Sequence, residues 1–130
     1  MLVIKKEQIQ NFIAENEADL TRLIRQIMRE CCPARVENYS DKLLDGMIKL
    51  GIERAKKYEF EQAETIVSFV TVMFEIAPNF DEQPLIKEVL ADANHPIDER
   101  FLQLWERVDE KNWQAAEDAY DAKLWFPDKK

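Results

Sequence analysis

A chain of 130 residues with 46% hydrophobic side chains, 34% charged ones and only two glycines is long enough to bury one core and too apolar to stay disordered. Its formal net charge of −8 and pI near 4.8 set it against phosphate-bearing partners, so neither nucleic acid nor an anionic membrane surface is an expected ligand. No apolar run approaches the ~20 residues that cross a bilayer.

The apolar positions recur at helical spacing from the start. Ile9, Phe12, Ile13, Leu20, Leu23, Ile24, Ile27, Met28 and Cys31 form one stripe, predicting a long helix over about Lys5–Glu30. Asn16 on that stripe marks a bend or an exposed gap. The opening Met1-Leu-Val-Ile-Lys-Lys lacks the layout of a signal peptide, so cytoplasmic residence is expected. Pro33 stops the first helix, because the residue before a proline avoids the helical region. A second helix is predicted over Ser40–Tyr58, with Ser40 as its cap and Leu44, Met47, Ile48, Gly51, Ala55 and Tyr58 on one face. A glycine inside a helix costs about 1 kcal/mol against alanine, so Gly51 predicts the close approach of another helix.

The third segment, Glu61–Ala77, carries Ile66, Val67, Phe69, Val70, Val72, Met73, Phe74 and Ile76 on every side. Its β-branched content makes a strand the competing reading. Its length and the lack of turn residues favour a fully enclosed helix. Pro78-Asn79 ends it, and Phe80–Pro84 reads as a connector. Short helices then follow over Pro84–Ala93, Asp98–Val108 and Trp113–Asp121. The tail Leu124-Trp125-Phe126-Pro127 either packs back or binds something. The expectation is an all-α, compact bundle of five to six helices around a central hydrophobic helix (about 61–77), with residues 1–130 making one domain.

Chemistry is hard to find. His95 is the only histidine, and with Asp92 three residues before it a helix-terminal role is the economical reading. Cys31 and Cys32 are adjacent, with no second pair for a zinc site. The serines lack a glycine-flanked nucleophile turn, and no glycine-rich loop cradles phosphate. Carboxylate pairs such as Glu61/Glu64 and Asp81/Glu82 need burial to do acid–base work. No catalytic residue, no cofactor and no metal is therefore assigned, and the chain is read as non-enzymatic.

Charge distribution is more informative. Between Tyr58 and Glu99 stand Glu59, Glu61, Glu64, Glu75, Asp81, Glu82, Glu88, Asp92, Asp98 and Glu99, against Lys87 alone among the bases. An acidic face on a helical domain points to a protein partner. Glu59, Glu61, Glu64, Asp81 and Glu82, with Trp113, Trp125 and Phe126 as anchors, are the candidate partner-binding residues. Arg22, Arg25 and Arg29 form a basic stripe that either complements the acidic segment or faces solvent.

Gly51-Ile52-Glu53-Arg54-Ala55, Tyr58-Glu59-Phe60, a hydrophobic helix ending Met73-Phe74, Asn79-Phe80-Asp81, and Pro84 leading to Val89-Leu90-Ala91-Asp92 together resemble a family of small all-helical accessory proteins. These are encoded beside effector and spike genes of bacterial type VI secretion systems. The resemblance covers about residues 2–108. The chain departs from it where Pro84-Leu85-Ile86 replaces a Pro-Trp-Ala, and in the acidic C-terminal extension with Trp113 and Trp125. The resemblance implies an adaptor or chaperone for a secreted effector, with no transferable catalytic residues. An immunity protein neutralising a basic toxin and a self-associating structural component are the alternatives. The sequence leaves the oligomeric state open.

Overall fold

The computed structural model describes residues 17–126, which form seven α-helices, two 3₁₀ turns and no strand. In chain order the helices are α1 (Glu17–Cys31), α2 (Pro33–Val36), α3 (Asp41–Lys56), α4 (Ala63–Glu75), α5 (Pro84–Leu90), α6 (Ile97–Arg107) and α7 (Glu110–Asp118). The turns lie at Phe80–Glu82 and Ala122–Leu124. The first part of the predicted long helix, with Ile9, Phe12, Ile13 and Asn16, lies outside the described residues. So does Pro127.

The strand reading of the third segment is excluded, because α4 is helical and enclosed. Thr65, Ile66, Val67, Phe69, Val70, Thr71, Val72, Met73 and Phe74 are all buried. Thr71, the buried polar member at its centre, donates its hydroxyl to the Val67 carbonyl at 2.8 Å. That bond leaves no buried hydroxyl unsatisfied. α1 packs against α3, α3 and α1 pack on α4, and α5–α6 form a second pair that meets α4 through α6.

Gly51 sits where α3 crosses α4. A Cβ added there would lie 3.1 Å from Val70 Cγ2 and 3.2 Å from Met73 Sδ. The missing side chain is therefore what lets the two helices meet, as the spacing predicted. Ser40 accepts from the Leu43 amide at 3.2 Å and starts α3. α4 has no side-chain cap of its own. Instead Asp98, at the start of α6, accepts from the amides of Gln62 (3.2 Å) and Glu61 (3.4 Å). This borrowed carboxylate also meets the positive end of the α4 dipole.

Boundaries differ from expectation where short-range capping outweighs hydrophobic period. Pro33 does more than end α1: it occupies the first turn of α2, where its missing N–H costs nothing. α7 begins at Glu110 rather than Trp113, because Asp109 caps it by accepting from the Asn112 amide at 3.1 Å. The predicted connector after α4 contains a 3₁₀ turn, with Phe80 and Asp81 both buried. Gln83 then caps α5 through the Ile86 amide, with Pro84 in the first turn.

One aromatic side chain ties the elements together. Phe69 is fully buried, and its ring centroid lies 5.6 Å from that of Tyr58, 6.0 Å from Phe60, 4.9 Å from Phe80 and 6.1 Å from Phe101. It thus joins the α3–α4 connection, the 3₁₀ turn and α6. In that connection Glu59 adopts φ 68°, a left-handed conformation that reverses the chain after the last turn of α3.

Candidate protein-binding surface

The acidic segment does not form one face. Asp81 is buried, and its Oδ1 accepts from Arg54 Nε at 2.9 Å while Oδ2 accepts from the Tyr58 hydroxyl at 2.5 Å. Glu82 is exposed but takes the other side of the same guanidinium at 3.1 Å. Asp81 is therefore removed from the candidate binding residues: it neutralises Arg54 inside the fold. Burial opposes the Arg54 charge, but the bonds and attraction of Asp81 and Glu82 outweigh it and hold the guanidinium above its ordinary value. Burial, followed by the bond to Asp81, raises the Tyr58 hydroxyl strongly, so it remains a donor.

Three motifs quoted for the family resemblance thus meet at one joint. Arg54 and Tyr58 come from one helix and its end, and Asp81 from the turn beyond α4. Their common role here is architectural.

Other acids are also engaged internally. Asp92 binds Arg107 at 2.6 Å and the Asn94 amide at 2.9 Å. Those bonds, the amide first, hold its carboxyl below the usual range. His95 lies 4.0 Å from Asp92, and its carbonyl accepts from Arg100 Nε at 2.8 Å, so it closes the turn before α6. The basic stripe of α1 does not meet the acidic middle segment: Arg22 faces Asp19 on its own helix at 3.8 Å, and Arg25 and Arg29 turn to α3. Arg25 binds Asp45 at 3.1 Å, and Arg29 binds Asp41 at 3.0 Å and the carbonyls of Val36 and Tyr39. Glu59 and Glu61 remain exposed and Glu64 is half-exposed, their carboxylates unpaired among the described residues. Glu61 lies against Asp98, beside the start of α6.

The anchors change as well. Trp125 is buried, with its ring centroid 4.5 Å from that of Phe74. Phe126 is half-buried against the core. The tail therefore packs back, and Trp125 cannot anchor a partner. Two bonds with Asn79 hold the same arm: its amide nitrogen donates to the Ala119 carbonyl at 2.9 Å, and its oxygen accepts from the Asp121 amide at 3.0 Å.

Trp113 is half-buried, and beside it stands a surface that the candidate set missed. Leu102 is 59% exposed and Trp105 39% exposed. The Trp105 ring stacks on Trp113 at 5.3 Å and 23°, and meets Phe101 edge-on at 5.9 Å. The spacing held the signal. Phe101, Leu104 and Val108 are the buried face of this stretch; Leu102 falls off it, and Trp105 stands at its margin. α7 is also joined to the 3₁₀ turn and the α5 cap, where Gln83 Nε2 donates to Asn112 Oδ1 at 2.7 Å and Phe80 lies beneath Trp113 at 6.4 Å.

Cys31 is exposed, while Cys32 is partly covered and directs its thiol to Glu75 at 3.6 Å. Burial first, then the Glu75 charge, pushes the Cys32 thiol up to about 11 from 9.0. Iodoacetamide at pH 8 is expected to modify Cys31 at least about tenfold faster than Cys32, since the thiolate is the nucleophile; peptide mass spectrometry measures the ratio, and equal rates would contradict this geometry. Glu75→Gln should narrow the gap without closing it, because burial is the larger cause. The linked stability is present below pH 9.0 and is lost as pH rises toward about 11.

Among the described residues no three His, Cys, Asp or Glu side chains are placed to hold a metal ion, and no helix is long and apolar enough to cross a membrane. Comparison with family models, with curated proteins and with solved structures gave no match.

Proposed function

We propose that this protein is a non-enzymatic binding module that engages a protein partner through Leu102, Trp105 and Trp113. In line with the family resemblance, the partner would be a secreted effector or neighbouring component of a type VI secretion system, met in the cytoplasm by this chain as adaptor or chaperone. The observation that carries the reading is the half-exposed Trp105–Trp113 stack beside Leu102, in a domain whose other tryptophan is buried. Tryptophan at the centre of a patch is the residue type that most often dominates binding energy, and its truncation typically costs ~2 kcal/mol or more.

The test is co-purification of the tagged protein with the product of the adjacent gene. Leu102→Ser/Trp105→Ser should lose the partner while keeping a helical circular dichroism spectrum. Unchanged co-purification would overturn the reading. The acidic residues around this surface also suit an immunity protein facing a basic toxin. Rescue of growth when the neighbouring gene product is co-expressed distinguishes that role from an adaptor.

A further inference from the structure

We infer that the element seated on this surface is a basic segment of another protein, in which arginine or lysine side chains flank an apolar anchor. The inference rests on the protein-binding reading and deepens it.

On α6, Glu99 lies three residues before Leu102 and Glu106 four after it. On α7, Glu110 lies three residues before Trp113 and Glu117 four after it. Steps of three and four stay on one helical face, so each helix sets an apolar side chain between two glutamates one turn away. The Trp105–Trp113 stack brings the two faces together. All four glutamates are exposed, and none has a side-chain partner among the described residues.

Elsewhere Glu17, Asp41, Asp45, Asp81, Glu82 and Asp92 each pair with a base, whereas these four, like Glu59, Glu61 and Glu64, do not; only here do the unpaired glutamates flank an exposed apolar centre. The bases of α6 are already committed: Arg107 to Asp92 and Arg100 to the His95 carbonyl. Lys111 is the cation left on α7. The surface is therefore an apolar centre in an uncompensated acidic rim. Such a rim repels phosphates and attracts cations. The open part of the Trp105 ring offers a cation–π contact, which a guanidinium uses best.

The test is selection of a randomised peptide-display library on the purified full chain. Enriched peptides should carry net positive charge around a leucine or aromatic residue. Their affinity should fall at least about tenfold on Glu99→Gln/Glu106→Gln/Glu110→Gln/Glu117→Gln and by a similar factor between ~0.05 and ~0.5 M salt. Neutral or acidic peptides that are lost on Trp105→Ser would overturn the basic class and leave the binding surface standing. Enriched peptides indifferent to Trp105→Ser, or no enrichment at all, would overturn both. A Trp105-dependent dimer seen by light scattering would assign the surface to a second copy of the chain instead.

Discussion

Arg54→Met should lower the unfolding free energy by about 3 kcal/mol, because it leaves a carboxylate stranded in the interior. The Asp81 side chain is only 4% exposed and loses its charged partner, keeping just the Tyr58 hydroxyl. Glu82, which shares the guanidinium, is 60% exposed and can return to water. The cost is thus set almost wholly by Asp81. A loss of that size is a large share of the ~5–15 kcal/mol that holds a typical domain together. Guanidinium denaturation measures it as a shift in midpoint at unchanged slope. The double variant Arg54→Met/Asp81→Leu should recover most of the loss, since replacing both members by apolar groups removes the desolvation cost along with the attraction. If the single variant is as stable as the parent, the joint is not the closed ion pair described above.

Phe69→Ala carries the other large expected effect, a loss of roughly 3–5 kcal/mol. The side chain is fully enclosed, and four aromatic rings surround it from three separate parts of the chain. Those neighbours are held by different elements, so they cannot close the cavity by moving as one. The near-ultraviolet circular dichroism signal, which depends on the packing of such rings, should weaken with the stability. Leu102→Ala is the control: with Leu102 59% exposed, it should change stability by no more than ~0.5 kcal/mol.

Much of the framework could be read from residue pattern because the responsible interactions are local. Ser40 bonds three residues on, Pro84 sits in a first turn, and the apolar run of α4 identifies an enclosed helix. Gly51 announced a close crossing, and Val70 and Met73 supply it. Asp81 was misread for a physical reason. A charged side chain is taken as solvated unless a partner is visible, and its partner lies 27 residues back. The available hint was Arg54 and Tyr58 beside Gly51 and Ala55, since polar groups bordering an apolar face need satisfaction from elsewhere. α2 spans four residues, too few to show a period. Which tryptophans are exposed follows from helical phase and from long-range packing, and only the first is local. Phase puts Trp105 at the margin of α6, while the tail folds Trp125 onto Phe74.

The segment 78–83 is gripped from both sides. Asp81 holds it to α3, while Asn79, Phe80 and Gln83 hold it to the C-terminal arm that bears Trp113. Mechanically it is a hub through which strain at the Arg54 pair reaches the tryptophan stack. A mutational scan for binding will therefore score positions 54, 58 and 81 as sensitive although none of them forms part of the exposed patch. Only variants screened for retained thermal stability will map the footprint itself.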